Sequence, residues 1–543
     1  MAGAVNKTAG DRTSAAASAE AAPDWDVVIV GCGPVGGFAA NLLGKSGLKV
    51  LILERDLDAF PLPRAVHLDH EMMRLFADAD LLDLVEPLMF ATDGHMHLGA
   101  DGNVIRYLGS VGCPRPFAFS NDYFFYQPEL EAALRRGLDR LPTVELRFEA
   151  VAALAQYGRE VVLTLETGEA VRARYVIACD GARSTVRKAL DIPLQDLGFE
   201  EPWLVVDAEV DGPIQFPPIE GAPIDADFQR LSVMVCDPRR PATIVPGRGN
   251  HRRWEFMLLP GENDQDMASE ETVRGFIAPW IGGAPYRLVR ASTYRFHALV
   301  AERWRMGRVF LAGDAAHQTP PFFGQGMCHG LRDVANLAWK LGLVLAGKAA
   351  PSLLETYQPE RDPHVRTVIG AAVEAGRYIC LLDADLAAER DRRLRSPTAP
   401  GTASDLIPPL GAGIVEPGAG ERFIQPLIRR SAQEPRRLDE ITGGGWLIVQ
   451  RDGEARLSDQ ARAVWTALGG GVLILGDEMT ETARHLATWF ERHSAIAAVV
   501  RPDFYTYAAP ADAAELSGAV ERLGRWVLTA PVSHPPQGVA ANA

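Results

Sequence analysis

Three short stretches of this chain carry residue types suited to binding an anion. The first is Gly31-Cys32-Gly33-Pro34-Val35-Gly36, which follows the apolar run Asp26–Val30 and is itself followed by a second apolar run that ends in Glu54. A strand, a glycine turn, a helix and a second strand closed by an acid form a dinucleotide-binding unit. Gly31 permits the tight turn, Gly33 lets a pyrophosphate approach the backbone, Gly36 lets helix and strand pack, and Glu54 stands where ribose hydroxyls would be. The second is Cys179-Asp180-Gly181, at the end of the apolar run Ala173–Ala178. By itself it is an ordinary strand-to-helix turn. The third is Gly313-Asp314-Ala315-Ala316-His317, which runs through Pro320, Pro321, Gly324 and Gly326 into a helix expected to begin near Leu331. A glycine-rich turn that opens a helix leaves backbone N–H groups unpaired, and the helix dipole favours negative charge there.

The elements that must position these stretches come from apolar patterning. Strands are expected at 26–30, 48–53, 144–148, 161–165, 173–178 and 309–312, and a helix after Pro128. Partly alternating runs at 203–210, 231–236, 253–259 and 292–296, separated by Pro- and Gly-rich segments, read as an antiparallel sheet, with a helix at about 270–281. Helices are expected at 331–345, 353–361 and 365–382. Beyond a Pro/Gly-rich stretch at 396–420, strands at 445–449, 472–475 and 497–500 alternate with helices at about 479–493 and 511–524.

The bulk numbers bound the function. A chain of 543 residues exceeds one core. A net charge of −15 argues against a nucleic-acid or anionic-membrane surface, since both need a basic face. The six cysteines at 32, 113, 179, 236, 328 and 380 show no Cys-x-x-Cys spacing. That speaks against a zinc site or a disulfide framework, so no metal is expected and a reducing, cytoplasmic setting is. Residues 1–23 lack an apolar segment and read as a disordered tail.

The three motifs, in this order and spacing, resemble the fingerprints of the single-component FAD-dependent aromatic hydroxylases over residues 25–385. The stretches Pro321–Leu341 and Arg253–Pro260 resemble the 3-(3-hydroxyphenyl)propionate hydroxylase and phenol hydroxylase branch. The resemblance implies an α/β (α+β) fold. A discontinuous Rossmann-like FAD-binding domain (24–199 and 297–395) would carry an inserted antiparallel-sheet substrate domain (200–296, with contributions from about 85–125). After a linker at 396–420, a thioredoxin-like C-terminal domain without Cys-x-x-Cys would follow (421–543).

The resemblance also implies roles. Gly31, Gly33, Gly36, Glu54, Arg55, Arg64 and Gln127 would contact FAD along its length. Asp180 and Gly181 would serve FAD and the docking nicotinamide. Gly313 and Asp314 would hold the ribitol, and Gly326 with the N–H groups of Met327 and Cys328 would face the flavin. The carbonyl of Pro320 or Pro321 would lie near the substrate. The implied activity is NAD(P)H- and O2-dependent ortho-hydroxylation of a substituted phenol, through a C4a-hydroperoxyflavin, in aromatic catabolism. The expected partners are a small phenolic substrate, O2 and NADH or NADPH, and the appended domain offers a surface for a homodimer.

A base near the phenol would raise its nucleophilicity. His67, His329 and Tyr294 are the candidates, and for each of the two histidines the equal expectation is that it only packs or hydrogen-bonds locally. His317 reads as structural. Arg253 and Arg295 are open between substrate anion and surface pairing. The rivals are the same fold acting on another phenol (nitrocatechol denitration, resorcinol or polyketide hydroxylation), a flavin oxidase or dehydrogenase, and an FAD-binding interaction protein.

Overall fold

The computed structural model describes residues 22–57, 63–109, 111–395, 406–429, 434–451, 453, 456–475 and 483–528. Most of the expected tail at 1–23 and the first part of the expected linker at 396–420 lie outside the described residues.

The first sheet places in order Arg305–Met306, Val309–Leu311, Ala170–Ala178, Trp25–Val30, Val50–Leu53 and Val144–Arg147. Trp25–Val30 lies parallel to both Val50–Leu53 and Ala170–Ala178, which in turn lies parallel to Val309–Leu311. Val28, Val176 and Val309 are therefore neighbours, and the chain leaves three adjacent strands at one edge, at Gly31, Cys179 and Ala312. All three motifs end up side by side at the carboxyl ends of parallel strands, where α/β sheets bind ligands. The runs are apolar throughout because both faces are covered. Val27 to Ile29 and Val50 to Ile52 are fully buried.

The second sheet runs His317–Gln318, Tyr286–Ala301, Leu194–Val210, His251–Met257, Ala242–Val245, Leu231–Val235, Gly94–Leu98 and Val104–Gly109. One face packs Val206, Ile244 and Trp254 against Val273, Ile277 and Ile281 of the helix Glu270–Ile281. The other face looks toward the three motifs. A small sheet of His67–Asp69, Asp122–Phe124 and Phe90–Ala91 closes the side between them.

The last sheet has the order Gly471–Ile474, Leu447–Gln450, Ala497–Val500, Thr506–Ala508, parallel in its first pair and antiparallel after it. Leu447 and Val449 pack on the helix Ala483–His493, while Ile448 packs on Asp459–Leu468 and Ala513–Val527. This is the thioredoxin-like arrangement, and no cysteine lies in it.

Several elements differ from the sequence expectation. Val151–Tyr157, Ala242–Val245, Asp459–Leu468 and Ala384–Leu394 were not foreseen. The helices expected at 353–361 and 365–382 are one helix, Tyr357–Ile379, which continues through Pro363 after a 3-10 turn at Pro351–Thr356. A proline in a helix removes one hydrogen bond, and here burial of Val365, Val368 and Ile369 outweighs that loss. Within the expected linker, Ile407, Leu410 and Ile414 are buried, so residues 406–420 are packed chain.

Candidate active site

A cavity of about 320 Å3 lies between the first sheet's motif edge and the open face of the second sheet. Gly33, Gly181, Asp314, Gly326 and Met327 line one wall, and Ser232, Met234, Thr243, Arg253 and Glu255 line the other.

The glycine loop is built around close approaches. Gly31 has φ +98°, and a Cβ there would stand 2.6 Å from the Cys179 carbonyl oxygen. A Cβ on Gly36 would stand 1.9 Å from the Gly31 carbonyl oxygen. Gly33 is different, because its Cβ would meet no protein atom within 4 Å. The space that glycine leaves is open toward the cavity, as a pyrophosphate against the backbone requires. The helix Pro34–Lys45 starts there with no side-chain cap. The Cys32 N–H donates to Glu54 Oε2 at 2.6 Å, which fixes the acid over the loop.

Asp180 Oδ2 caps the next turn by accepting from the N–H groups of Thr185 (2.7 Å) and Val186 (3.1 Å). Its Oδ1 is buried with no partner. Asp314 is partly open to the cavity, and no protein donor meets its carboxylate among the described residues. Burial pushes its carboxyl upward, against the pull of His317 and Arg64. A polyol that donates hydrogen bonds would satisfy both acids.

The helix Gly326–Leu345 begins five residues before the expected start. Gly324 turns the chain into it with φ +63°, Gln325 sits at its cap, and neither a capping side chain nor an acid occupies its first turn. The N–H groups of Gly326, Met327 and Cys328 therefore have no helical acceptor. Gly326 and Met327 lie on the cavity wall. Gln325 serves the protein instead, since its Nε2 donates to Asp69 Oδ2 and its Oε1 accepts from Arg332.

Gln127 holds the 63–66 loop. Its Oε1 accepts from the N–H groups of Arg64 (3.0 Å) and Ala65 (2.7 Å), and its Nε2 donates to Glu131. Arg64 and Gln127 line the cavity. Arg55 does not: it is exposed and pairs with the adjacent Asp56.

Of the candidate bases, only His67 is at the cavity. Its Nε2 lies 2.9 Å from Asp122 Oδ1, and its buried Nδ1 has no partner. Burial would raise Asp122, but the hydrogen bond and charge of His67 hold it below its ordinary value. His95, which the sequence reading passed over, meets His67 edge-on at 4.8 Å between ring centres. Burial pushes it down to about 4, so it is a neutral imidazole. The ligating atoms of His67, His95 and Asp122 lie within 4.8 Å of one another, a grouping that three separated positions did not disclose.

Two of the candidates are elsewhere. His329 is buried behind the helix start, between His317 and His364, with burial and Arg332 holding it well below its ordinary value. The Tyr294 hydroxyl accepts from Arg290 Nη1 at 3.0 Å, away from the cavity lining. His317 is structural, bonded to Asp333 at 2.7 Å. Arg295 is exposed near Glu200. Pro321 lines the cavity beside Phe322.

Of the site residues not singled out from the sequence, Ser232, Met234, Thr243, Glu255 and His95 sit on the second sheet and Asp122 on the small one. Alternation in 231–235 and 251–257 shows two faces, but nothing local says which one meets a ligand.

This geometry agrees with comparison to known proteins. The FAD binding domain family matches residues 24–372, and the HcaD C-terminal domain family matches residues 420–525. The chain belongs to the FAD binding domain family. A probable NADH-specific resorcinol 4-hydroxylase of Rhodococcus jostii (strain RHA1) is 37% identical over 95% of this chain and 97% of its own. A 3-(3-hydroxy-phenyl)propionate/3-hydroxycinnamic acid hydroxylase of Burkholderia vietnamiensis (strain G4 / LMG 22486) is 35% identical over 91% and 94%. In fold, the chain matches aklavinone-11 hydroxylase with TM-score 0.74, at 23% identity over 93% of this chain and all of that one. It is an FAD-dependent aromatic monooxygenase. Among the described residues, no helix is long and apolar enough to cross a membrane.

Proposed function

We propose that the protein uses NADH or NADPH and O2 to hydroxylate a substituted phenol ortho to its hydroxyl, as a step in aromatic breakdown. One observation carries this reading. A single cavity is lined by Gly33, by Gly326 and Met327 at the bare helix start, and by His67, whose Nε2 is held by Asp122.

Gly31, Gly33 and Glu54 would hold the adenosine and pyrophosphate of FAD, Asp314 its ribitol, and Arg64 and Gln127 the loop against it. Bound there, FAD would supply hydride acceptance from the nicotinamide and oxygen transfer to the substrate ring. The N–H groups of Gly326, Met327 and Cys328 would meet the negative charge of the reduced ring with little reorganisation. Phe124, Met234, Val245 and Phe322 on the wall exclude water from the reacting centre. His67 is the base: Asp122 orients its ring through Nε2 and leaves Nδ1 to draw the proton from the phenol hydroxyl.

A panel of phenols tests this, with NAD(P)H oxidation, oxygen uptake, peroxide and product followed together. The expected result is one hydroxylated product per nicotinamide oxidised. In His67→Ala, hydroxylation falls by about 10²-fold or more while FAD is retained. Oxygen uptake that yields only peroxide, whatever phenol is added, would identify an oxidase and overturn the reading.

A further inference from the structure

A row of paired residues crosses the cavity-facing side of the second sheet: Val205, Glu255, Thr243, Met234 and His97. Glu255 lies between Val205 and Thr243, its cross-strand neighbours. Its side chain is 12% exposed, lines the cavity, and takes no hydrogen bond among the described residues.

The cation beside Glu255 is already engaged. Arg253 Nη1 stands 3.9 Å from Glu255 Oε1, but that nitrogen donates to the Arg64 carbonyl at 2.7 Å. Nε donates to Asp207 at 2.9 Å, and Nη2 donates to Asp207 and to the Pro63 carbonyl. Arg290 is likewise held by Asp207 (2.5 Å), Pro63 and Tyr294. Two acids, Asp207 and Glu255, thus face two arginines, with His251 on Asp207 as well. Arg64, the other cation on the wall, belongs to the loop assigned to FAD.

We infer that Glu255, with Thr243 beside it, reads a second hydroxyl group on a neutral arene, so that the substrate is a dihydroxyarene and not a phenol with a carboxylate tail. A carboxyl group accepts a hydrogen bond from a hydroxyl whether or not it is ionised, and the threonine hydroxyl completes the pairing. A substrate carboxylate at this largely buried face would be a third anion against two engaged cations. Burial already pushes the Glu255 carboxyl upward, in spite of Arg253 and Arg290, and a further anion would push it higher. Sites that pair buried polar groups discriminate strongly against ligands that leave them unpaired.

The inference rests on the hydroxylase reading for the chemistry but not for the binding. The test is a titration of FAD-loaded protein with resorcinol and with 3-(3-hydroxyphenyl)propionate, following both heat and flavin absorbance. Resorcinol is expected to bind about tenfold or more tightly. Glu255→Gln, isosteric and uncharged, should shrink that ratio more than threefold at unchanged FAD content. Thr243→Val, which leaves every charge in place, should weaken resorcinol alone. The inference is overturned if the wild type binds the propionate at least as tightly, if Glu255→Gln moves the ratio less than threefold, or if Thr243→Val affects both ligands equally. Preferential binding of resorcinol without any hydroxylated product sinks the hydroxylase reading and leaves this one standing. Hydroxylation of both at equal affinity does the reverse.

Discussion

At the scale of single residues, the glycines of the first loop separate two kinds of requirement. Gly36 is needed by the protein, because any Cβ would collide with the Gly31 carbonyl. Gly33 is not needed by the protein's own packing, because its Cβ would enter empty space on the cavity side, where the proposed FAD would lie. Gly36→Ala should therefore lower the melting temperature of the apoprotein. Gly33→Ala should leave it unchanged and raise the FAD dissociation constant by at least about tenfold, or ~1.4 kcal/mol. Thermal unfolding without FAD, and flavin titration, read the two effects apart. Equal melting losses in both variants would contradict the division. The tight loop of these glycines, with Glu54 bonded to it, was legible because its residue types recur at fixed spacing along one segment. Glu255, Thr243 and His95 were not. A buried polar residue in an alternating strand has no local mark that separates a ligand contact from a satisfied core position, and their neighbourhood arises from pairing across strands far apart in sequence.

At the scale of elements, the helix Gly326–Leu345 shows why boundaries were harder to read than identities. Gly326 and Gly330 have poor helix propensity, so the pattern placed the start at Leu331. Packing decides otherwise: a Cβ on Gly330 would sit 2.4 Å from Val35 Cγ2, so the first turn is pressed against the dinucleotide loop. The earlier start is what brings Gly326 and Met327 to the cavity. Gly324 controls the entry, since its φ of +63° disfavours any side chain and its Cβ would stand 2.5 Å from His67 Nδ1. Gly324→Ala should cost about 1–2 kcal/mol of stability from the backbone conformation alone. It should also displace His67, so that product per nicotinamide oxidised falls while flavin reduction persists. Unaltered coupling in that variant would separate the helix entry from the position of His67.

At the scale of the whole molecule, the order of the motifs was legible but the joining of the last unit was not, because it is made of buried charge. Arg74 bonds Asp439, Arg332 bridges Asp69 and Glu71, and Arg422 and Tyr505 reach Glu71 from the far side. Deepest is Glu360, held by Lys340 (2.8 Å) and Arg501 (2.7 Å), with Asp503 on the same guanidinium. The nearby Trp339–Trp446 contact, 5.4 Å between ring centres, ties the same helix to the last sheet. Such clusters have no sequence period, and their members are separated by up to hundreds of residues. Removing one partner leaves the others charged and buried, so Arg501→Met should cost about 3–5 kcal/mol at neutral pH. The pH dependence has a definite sign. Burial alone would raise Glu360, but Arg501 and Lys340 hold it well below the ordinary carboxylate range. A carboxylate depressed in the folded state contributes stability above its unfolded value, about 4.3, and that contribution is lost as pH falls toward the folded value. Loss of Arg501 shrinks the depression, so the variant has less of this contribution to lose in acid. Urea unfolding of the two proteins should show the full gap at pH 7 and a narrower one below about pH 4. A gap of equal size at both would mean that Arg501 stabilises the junction by packing on Trp339, not by holding the charge of Glu360.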